Sequence, residues 1–432
     1  MNKLANLFPD RPWKGRAVEF VFFLLVCLAL YTPIATDEFF LVEVVVGTIL
    51  VGILFLMAIH HDSGFEITKT GYVMLVCEAL IGMSFFLWGI VFRVKGYLAI
   101  GVIFCIIVPA IQTALAQRSS KEVLLRFSRG IEYSYWTFLI MTVLFAPPIS
   151  SATYFAQYAS VLGNPNTLGN YLIVAFGAFG YLMLAEERSF KRFLVCLAEL
   201  VSVIYFALLS GSRTGVLAII FEAAYFLVYI ALTAKKKGYF KNFGKKFVAV
   251  VLVSAAVVVV QGFMITTFKT MANDALGDSG FHFGILQEGQ HSKFTKGLDE
   301  GDVETFTSGR TVIWSDFLEV VEPKGHAEEM IYVPEFGKMY GAHNVYIQIA
   351  YSAGAPAGIV SLLLAVAAGW WMLRYLIGCF RDRGRITAER TGAAAFGVGF
   401  LIMSLVSGGY MFIVYLPTTM FLLTASGYMF KK

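Results

Sequence analysis

Charged side chains are scarce in this chain. Asp, Glu, Lys and Arg make up 15% of its 432 residues, against about 25% in a soluble domain. Cysteine is scarce too, and its five copies (Cys27, Cys77, Cys105, Cys196, Cys379) never fall in C-x-x-C spacing. That excludes a disulfide framework and a thiolate metal site, and leaves them as small apolar packing residues. No P-loop, no dinucleotide fingerprint and no repeat of 20–50 residues occurs, so the chain shows no nucleotide site of its own. What it has instead is apolar bulk: 58% hydrophobic residues, 40 of them Phe. A soluble globule of this length has too little interior for that much apolar side chain. The composition implies an all-α polytopic membrane protein.

A span needs about 20 apolar residues. Twelve runs qualify: 17–36, 39–59, 72–92, 97–116, 131–149, 168–185, 193–210, 213–233, 247–264, 344–372, 392–408 and 411–430. The first is too long for a signal-peptide core and no cleavage site follows it, so it is expected to stay. With the N-terminus in the cytoplasm, 25 of the 34 Lys and Arg fall on the inner side, and the short outer loops hold only Arg93, Lys95 and Arg213. By the positive-inside rule both termini are cytoplasmic and the span number is even. The expected architecture is thus one integral membrane domain over 1–432, with a large, partly helical extracytoplasmic loop at 265–340 between the ninth and tenth spans. That loop carries 13 acidic and six basic residues, so the apolar remainder is the basic part. A nucleic-acid binder clusters its basic residues on a polar surface instead, so no nucleic acid partner is expected.

Four features share the outer side. Between the seventh and eighth spans runs Ser210-Gly211-Ser212-Arg213-Thr214-Gly215. Ser210 or Ser212 can cap the next helix, and free helix N–H groups beside a guanidinium make an anion site; the plainer reading is a tight turn whose Arg reaches lipid headgroups. In the large loop, Ser308-Gly309-Arg310 precedes Ile313, Trp314, Phe317, Leu318 and Val321 at helical spacing. Thr307 or Ser308 is expected to cap that helix. Arg310 in its first turn opposes the helix dipole and so suggests an anionic partner, unless one of the loop's carboxylates pairs with it. Gly341-Ala342-His343-Asn344-Val345-Tyr346 marks re-entry into the membrane, with His343 able to exchange protons near neutral pH or simply to meet headgroups. Gly163-Asn164-Pro165-Asn166-Thr167 opens the sixth span as a turn and cap. His282, His291 and His326 match no metal spacing and read as solvated. Glu43, Glu78, Glu199 and Glu222 lie inside spans, where carboxyls are costly and either functional or paired within the bundle.

A G-S-R-x-G turn, a long outer loop with S-G-R-x-x-x-W and H-N-x-Y at the next span, in that order and on one side, resemble the O-antigen ligase and O-antigen polymerase family. The resemblance is clearest over 205–360. It implies a membrane glycosyltransferase of the GT-C class, taking a glycan from an undecaprenyl diphosphate carrier on the outer face of the cytoplasmic membrane. The acceptor is a glycan or a lipid-linked hydroxyl. The family's functional arginines carry over to Arg213 and Arg310, and its histidine to His343. Ser212, Thr214, Asn344, Tyr346, Trp314 and Asn166, from the same motifs, complete the candidate contacts to diphosphate or acceptor. No metal and no cofactor is expected, because two guanidiniums can stabilise the charge of a leaving diphosphate. Membrane lipid and other polysaccharide-assembly proteins are the remaining expected partners. The chain departs from the family pattern before His343: an H-P-x-x-G-x-G stretch is replaced by Glu322-Pro323-Lys324-Gly325 and Glu335-Phe336-Gly337-Lys338-Met339-Tyr340-Gly341. The rival reading is a secondary transporter or flippase, which twelve spans and intramembrane Glu would suit, but its repeats and broken helices are not evident in the sequence.

Overall fold

The structure is a computed structural model. It describes residues 12–31, 46–54, 66–116, 120–145, 158–185, 189–237, 243–265, 307–406 and 430–431, save positions 48, 51, 163 and 308. Thirteen helices organise these residues. In chain order they are α1 Pro12–Tyr31, α2 Lys69–Phe92, α3 Lys95–Val102, α4 Val108–Ala116, α5 Ser120–Phe145, α6 Pro165–Ala185, α7 Phe190–Ser210, α8 Arg213–Lys237, α9 Phe243–Phe263, α10 Arg310–Val320, α11 Val345–Ala353, α12 Ala355–Arg381 and α13 Ala388–Val406. A π-helical turn, Ile103–Ile107, joins α3 to α4. Among the described residues, eight stretches are long and apolar enough to cross a membrane: α2, α3 through α4, and α6, α7, α8, α9, α12 and α13. Their outward faces are apolar, with Leu252 63% and Val259 69% exposed on α9. Water would not tolerate such a surface and lipid would. The chain is a multi-pass membrane protein.

The first and fifth expected spans are also helical, as α1 and α5. The second and twelfth, 39–59 and 411–430, fall wholly or largely outside the described residues, and twelve is not established as the number. The tenth is corrected. Residues 344–372 do not form one helix but break at Gly354, with φ 93° and ψ 152°, between α11 and α12. Glycine accepts that backbone without a Cβ penalty, and Pro356 restarts the helix in its first turn. The free N–H of Ala355 donates to Glu322 O at 2.8 Å. A broken helix is thus present after all.

The bundle is built around α6. Helices α5, α7, α8 and α13 all pack on it, and its side chains from Leu168 to Leu184 are mostly buried. Close approach is set by glycine: the Cβ that Gly215 lacks would lie 3.2 Å from the Cα of Gly169, and one on Gly169 would meet Ser212 Oγ at 2.5 Å. Helices without side chains at their crossing come near enough for dispersion to hold them in lipid. An aromatic cluster of Tyr135, Phe138, Tyr171, Phe179 and Phe206 fills the space among α5, α6 and α7, with most ring pairs edge to face.

Most buried carboxyl groups have partners. Glu132 of α5 accepts from Arg192 at 2.5 and 2.9 Å and from Arg129 at 2.9 Å, and Glu19 of α1 pairs with Arg126. Glu78 accepts from Gln112 Nε2 at 2.8 Å, and Glu199 from Trp136 Nε1 at 3.0 Å. Glu222 is fully buried, and neither of its oxygens has a hydrogen-bond partner among the described residues. Glu43 lies outside them. None of the five cysteines forms a disulfide among the described residues, and Cys196 and Cys379 are buried.

Outside the spans sits a small module with its own core of Ile313, Phe317, Val333, Ala342 and Tyr351. It joins α10 to an antiparallel hairpin, β2 Ile331–Val333 with β3 Lys338–Tyr340, registered Ile331 to Tyr340 and Val333 to Lys338. A second pair, β1 Glu66–Ile67 with β4 Phe430–Lys431, lies elsewhere. The hairpin occupies the stretch where the sequence departs from the family pattern. The reading of His326 as solvated is corrected here. Its ring stacks on Tyr351 at 4.2 Å, and Nε2 lies 2.9 Å from Val320 O. A flat imidazole covers the tyrosine face and links α10 to α11. His282 and His291 lie outside the described residues.

Candidate functional site

The turn carrying Arg213 is made by Gly211, whose φ of 62° ends α7. The Ser210 hydroxyl donates to Ala207 O at 2.8 Å and accepts from Ser212 N at 3.2 Å. Ser212 is the cap of α8, as expected: its Oγ accepts from Gly215 N at 3.2 Å. Arg213 and Thr214 therefore stand in the first turn of α8, both half-buried. Asn164 caps α6 through Asn166 N at 2.8 Å and Thr167 N at 3.4 Å, with Asn166 itself exposed. The same α6–α7–α8 arrangement leaves a wholly apolar groove of about 230 Å³ among Phe176, Ile204, Leu208, Val216 and Ile220, beginning one turn from Arg213.

The second arginine opens α10. Gly309, with φ 75°, is the N-cap of α10 by its backbone. The Thr307 hydroxyl lies 3.3 Å from that of Thr311, and Ser308, the other residue expected to cap this helix, is outside the described residues. Phe336 explains the glycine, since a Cβ at 309 would stand 2.6 Å from its ring. Arg310 is half-buried in the first turn of α10, and no carboxylate among the described residues pairs with it. Trp314, one turn on, has a buried indole N–H with no acceptor among the described residues.

His343 is held with φ 48°, a left-handed conformation uncommon for a residue with a side chain. Such backbone costs about 1–3 kcal/mol and persists only where surroundings impose it. Those surroundings are visible. Asn344 caps α11 by accepting from Tyr346 N at 3.0 Å and Ile347 N at 3.1 Å, and its Nδ2 donates to Leu405 O at 3.1 Å. The Tyr346 hydroxyl lies 2.6 Å from Ser404 Oγ. Tyr340 packs its ring edgewise against His343, with centroids 6.4 Å apart.

Arg213 lies close enough to Arg310, and Arg310 to His343, for each charge to act on the next. Burial lowers the Arg310 pKa, and the charge of Arg213 lowers it further. Burial lowers the His343 pKa below its ordinary 6.5, and the Arg310 charge adds to that. The guanidinium stays charged and the imidazole is neutral at pH 7. A cluster of two like charges and a neutral base at a helix N-terminus is suited to an anion with a proton-bearing nucleophile beside it. Ser212, Asn344 and Tyr346 are buried and hydrogen-bonded inside the protein, so they shape the turns. Asn166 is exposed and Thr214 half-buried, and the buried Trp314 indole N–H has no acceptor among the described residues. Sequence reasoning missed Tyr340, Gln348 and Ser404. None of the three left a signal, because each shows its role only through partners that the fold supplies. Among the described residues no group of three His, Cys, Asp or Glu is arranged to hold a metal.

No curated protein and no solved structure matches the chain. Residues 198–362, the stretch that holds Arg213, Arg310 and His343, match the model of the O-antigen ligase family.

Proposed function

We propose that the protein transfers a glycan from an undecaprenyl diphosphate carrier to a hydroxyl acceptor, as an O-antigen ligase or a repeat-unit polymerase does, on the outer face of the cytoplasmic membrane. The observation that carries this reading is the electrostatic chain from Arg213, in the first turn of α8, through Arg310, in the first turn of α10, to His343. Two neighbouring guanidiniums repel unless an anion lies between them, and a diphosphate supplies that charge. The apolar groove beside Arg213 suits the lipid chain of such a donor. As the bond from the anomeric carbon to the diphosphate oxygen breaks, the electron pair leaves with the diphosphate and the arginines hold it. The acceptor oxygen bonds to the anomeric carbon, and its proton passes to the neutral His343. With the arginines in that role, the reaction needs no divalent cation. The Lys/Arg distribution supports cytoplasmic termini and an outer site.

Purified protein in vesicles, given a lipid diphosphate-linked oligosaccharide and a hydroxyl acceptor, should yield elongated acceptor and free lipid diphosphate. The yield should be the same with EDTA. Intact donor moved across the bilayer, with no new glycosidic bond, would establish the transporter reading instead. Loss of transfer in EDTA, restored by magnesium or manganese, would overturn the metal-free route.

A further inference from the structure

Gln348 lies on the first turn of α11, only 3% exposed. Its side chain makes three hydrogen bonds. Oε1 accepts from Ala342 N at 3.0 Å, and Nε2 donates to Glu329 O at 3.0 Å and to Ser352 Oγ at 3.1 Å. The amide orientation is unambiguous, because the Ala342 N–H can only donate and the Glu329 carbonyl can only accept. Glu329 is where the chain enters the β2–β3 hairpin, and Ala342 is where it leaves. One buried side chain therefore clasps both ends of the segment that carries Tyr340 and delivers His343. Ala342 directly precedes the residue with φ 48°. The Asn344 cap fixes the other side of that residue, and Gln348 N donates to Asn344 O at 2.9 Å.

We infer that Gln348 is a positioning residue: its amide holds the 342–344 turn so that His343 stays half-buried against Tyr340 and beside Arg310. Enclosed as it is, Gln348 touches neither donor nor acceptor. This inference takes from the proposed function only that His343 serves turnover. The charged and titratable groups that bear on His343 are Arg310, with Arg213 behind it, and Tyr340, over whose ring Lys338 Nζ sits at 5.1 Å. Without the clasp the turn loosens, the imidazole gains water, and its pKa returns toward 6.5.

Gln348→Met keeps length and removes all three bonds, while Gln348→Glu keeps the acceptor for Ala342 and loses both donors. In full-length protein, carbethoxylation of His343 by diethylpyrocarbonate at pH 7, followed by peptide mass, should be several-fold faster in Gln348→Met than in wild type. The acid limb of the transfer rate should move up in pH, kcat should fall about tenfold, and KM for the lipid-linked donor should hold. Gln348→Glu should show the same changes, smaller, and stands in if the Met variant does not insert. Unchanged His343 reactivity and an unchanged limb, with only less active protein, would make Gln348 an ordinary packing residue and overturn the inference. A wild-type rate with no acid limb, and full activity in His343→Gln, would refute the proposed role of His343. The carbethoxylation rates would still decide the clasp.

Discussion

His343 occupies a strained backbone position and an environment that keeps its ring neutral, and both properties bear on how it works. Because burial and Arg310 depress its pKa below 6.5, the neutral form dominates at higher pH and is lost as pH falls through the depressed value. Transfer should therefore rise with pH along a limb centred below 6.5 and then level off. His343→Ala should turn over at least about 10²-fold more slowly with donor binding nearly unchanged. His343→Gln, which keeps a hydrogen bond and lacks basicity, should be as slow as Ala; activity near wild type in that variant would make the residue an acceptor ligand and not a base. Arg213 and His343 stand out in the sequence as polar residues at the edges of apolar runs, and Arg310 as the cation that opens an amphipathic stretch of the large loop. Gln348 was not, since a single amide in an apolar helix looks like any solvated residue until its three partners, up to 19 positions away, are known. His326 misled for the same reason: spacing shows no metal motif, but only the fold brings Tyr351 under its ring.

Helix boundaries were more legible than helix ends. The expected spans at 72–92, 193–210 and 247–264 lie within α2, α7 and α9 to within a residue, because an apolar run of that length has few other solutions in lipid. The break at Gly354 was hidden by unbroken hydrophobicity across 344–372, although Gly354 and Pro356 are the punctuation of a stop and restart. The hairpin was hidden by its brevity, with three residues in each strand. What α12 does is separate two polar regions. At its start lie Gly354 and the Glu322 carbonyl that receives Ala355 N–H; at its end lie Arg381, Arg383 and Arg385. Its 27 residues, at about 1.5 Å each, exceed a bilayer core of about 30 Å. Single cysteines at the exposed positions Glu335 and Arg383, in a variant without the native five, should divide accordingly. An impermeant thiol reagent on spheroplasts should label Glu335→Cys and spare Arg383→Cys. The reverse pattern would put the site on the cytoplasmic face, away from the proposed donor.

At the scale of the whole molecule, the bundle places a polar, three-residue cluster at the edge of a lipid-adapted body. Helix α8 brings Arg213 on a glycine-tight crossing with α6, while α13 anchors Asn344 and Tyr346 through Leu405 and Ser404. Buried ion pairs at Glu19 and Glu132 tie α1 and α7 to α5. Everything in the proposed chemistry rests on the two arginines acting together on one diphosphate. Each should contribute as a preformed donor to a developing anion does, about 10²–10³-fold in kcat, and lysine should recover little because a point charge lacks the bidentate fork. The most direct measurement is therefore the transfer rate of reconstituted wild type against Arg213→Ala, Arg310→Ala and the two Lys variants, with melting temperature recorded for each. The account predicts that all four variants lose at least about 10²-fold in rate while melting close to wild type. Wild-type transfer by Arg310→Ala would contradict it.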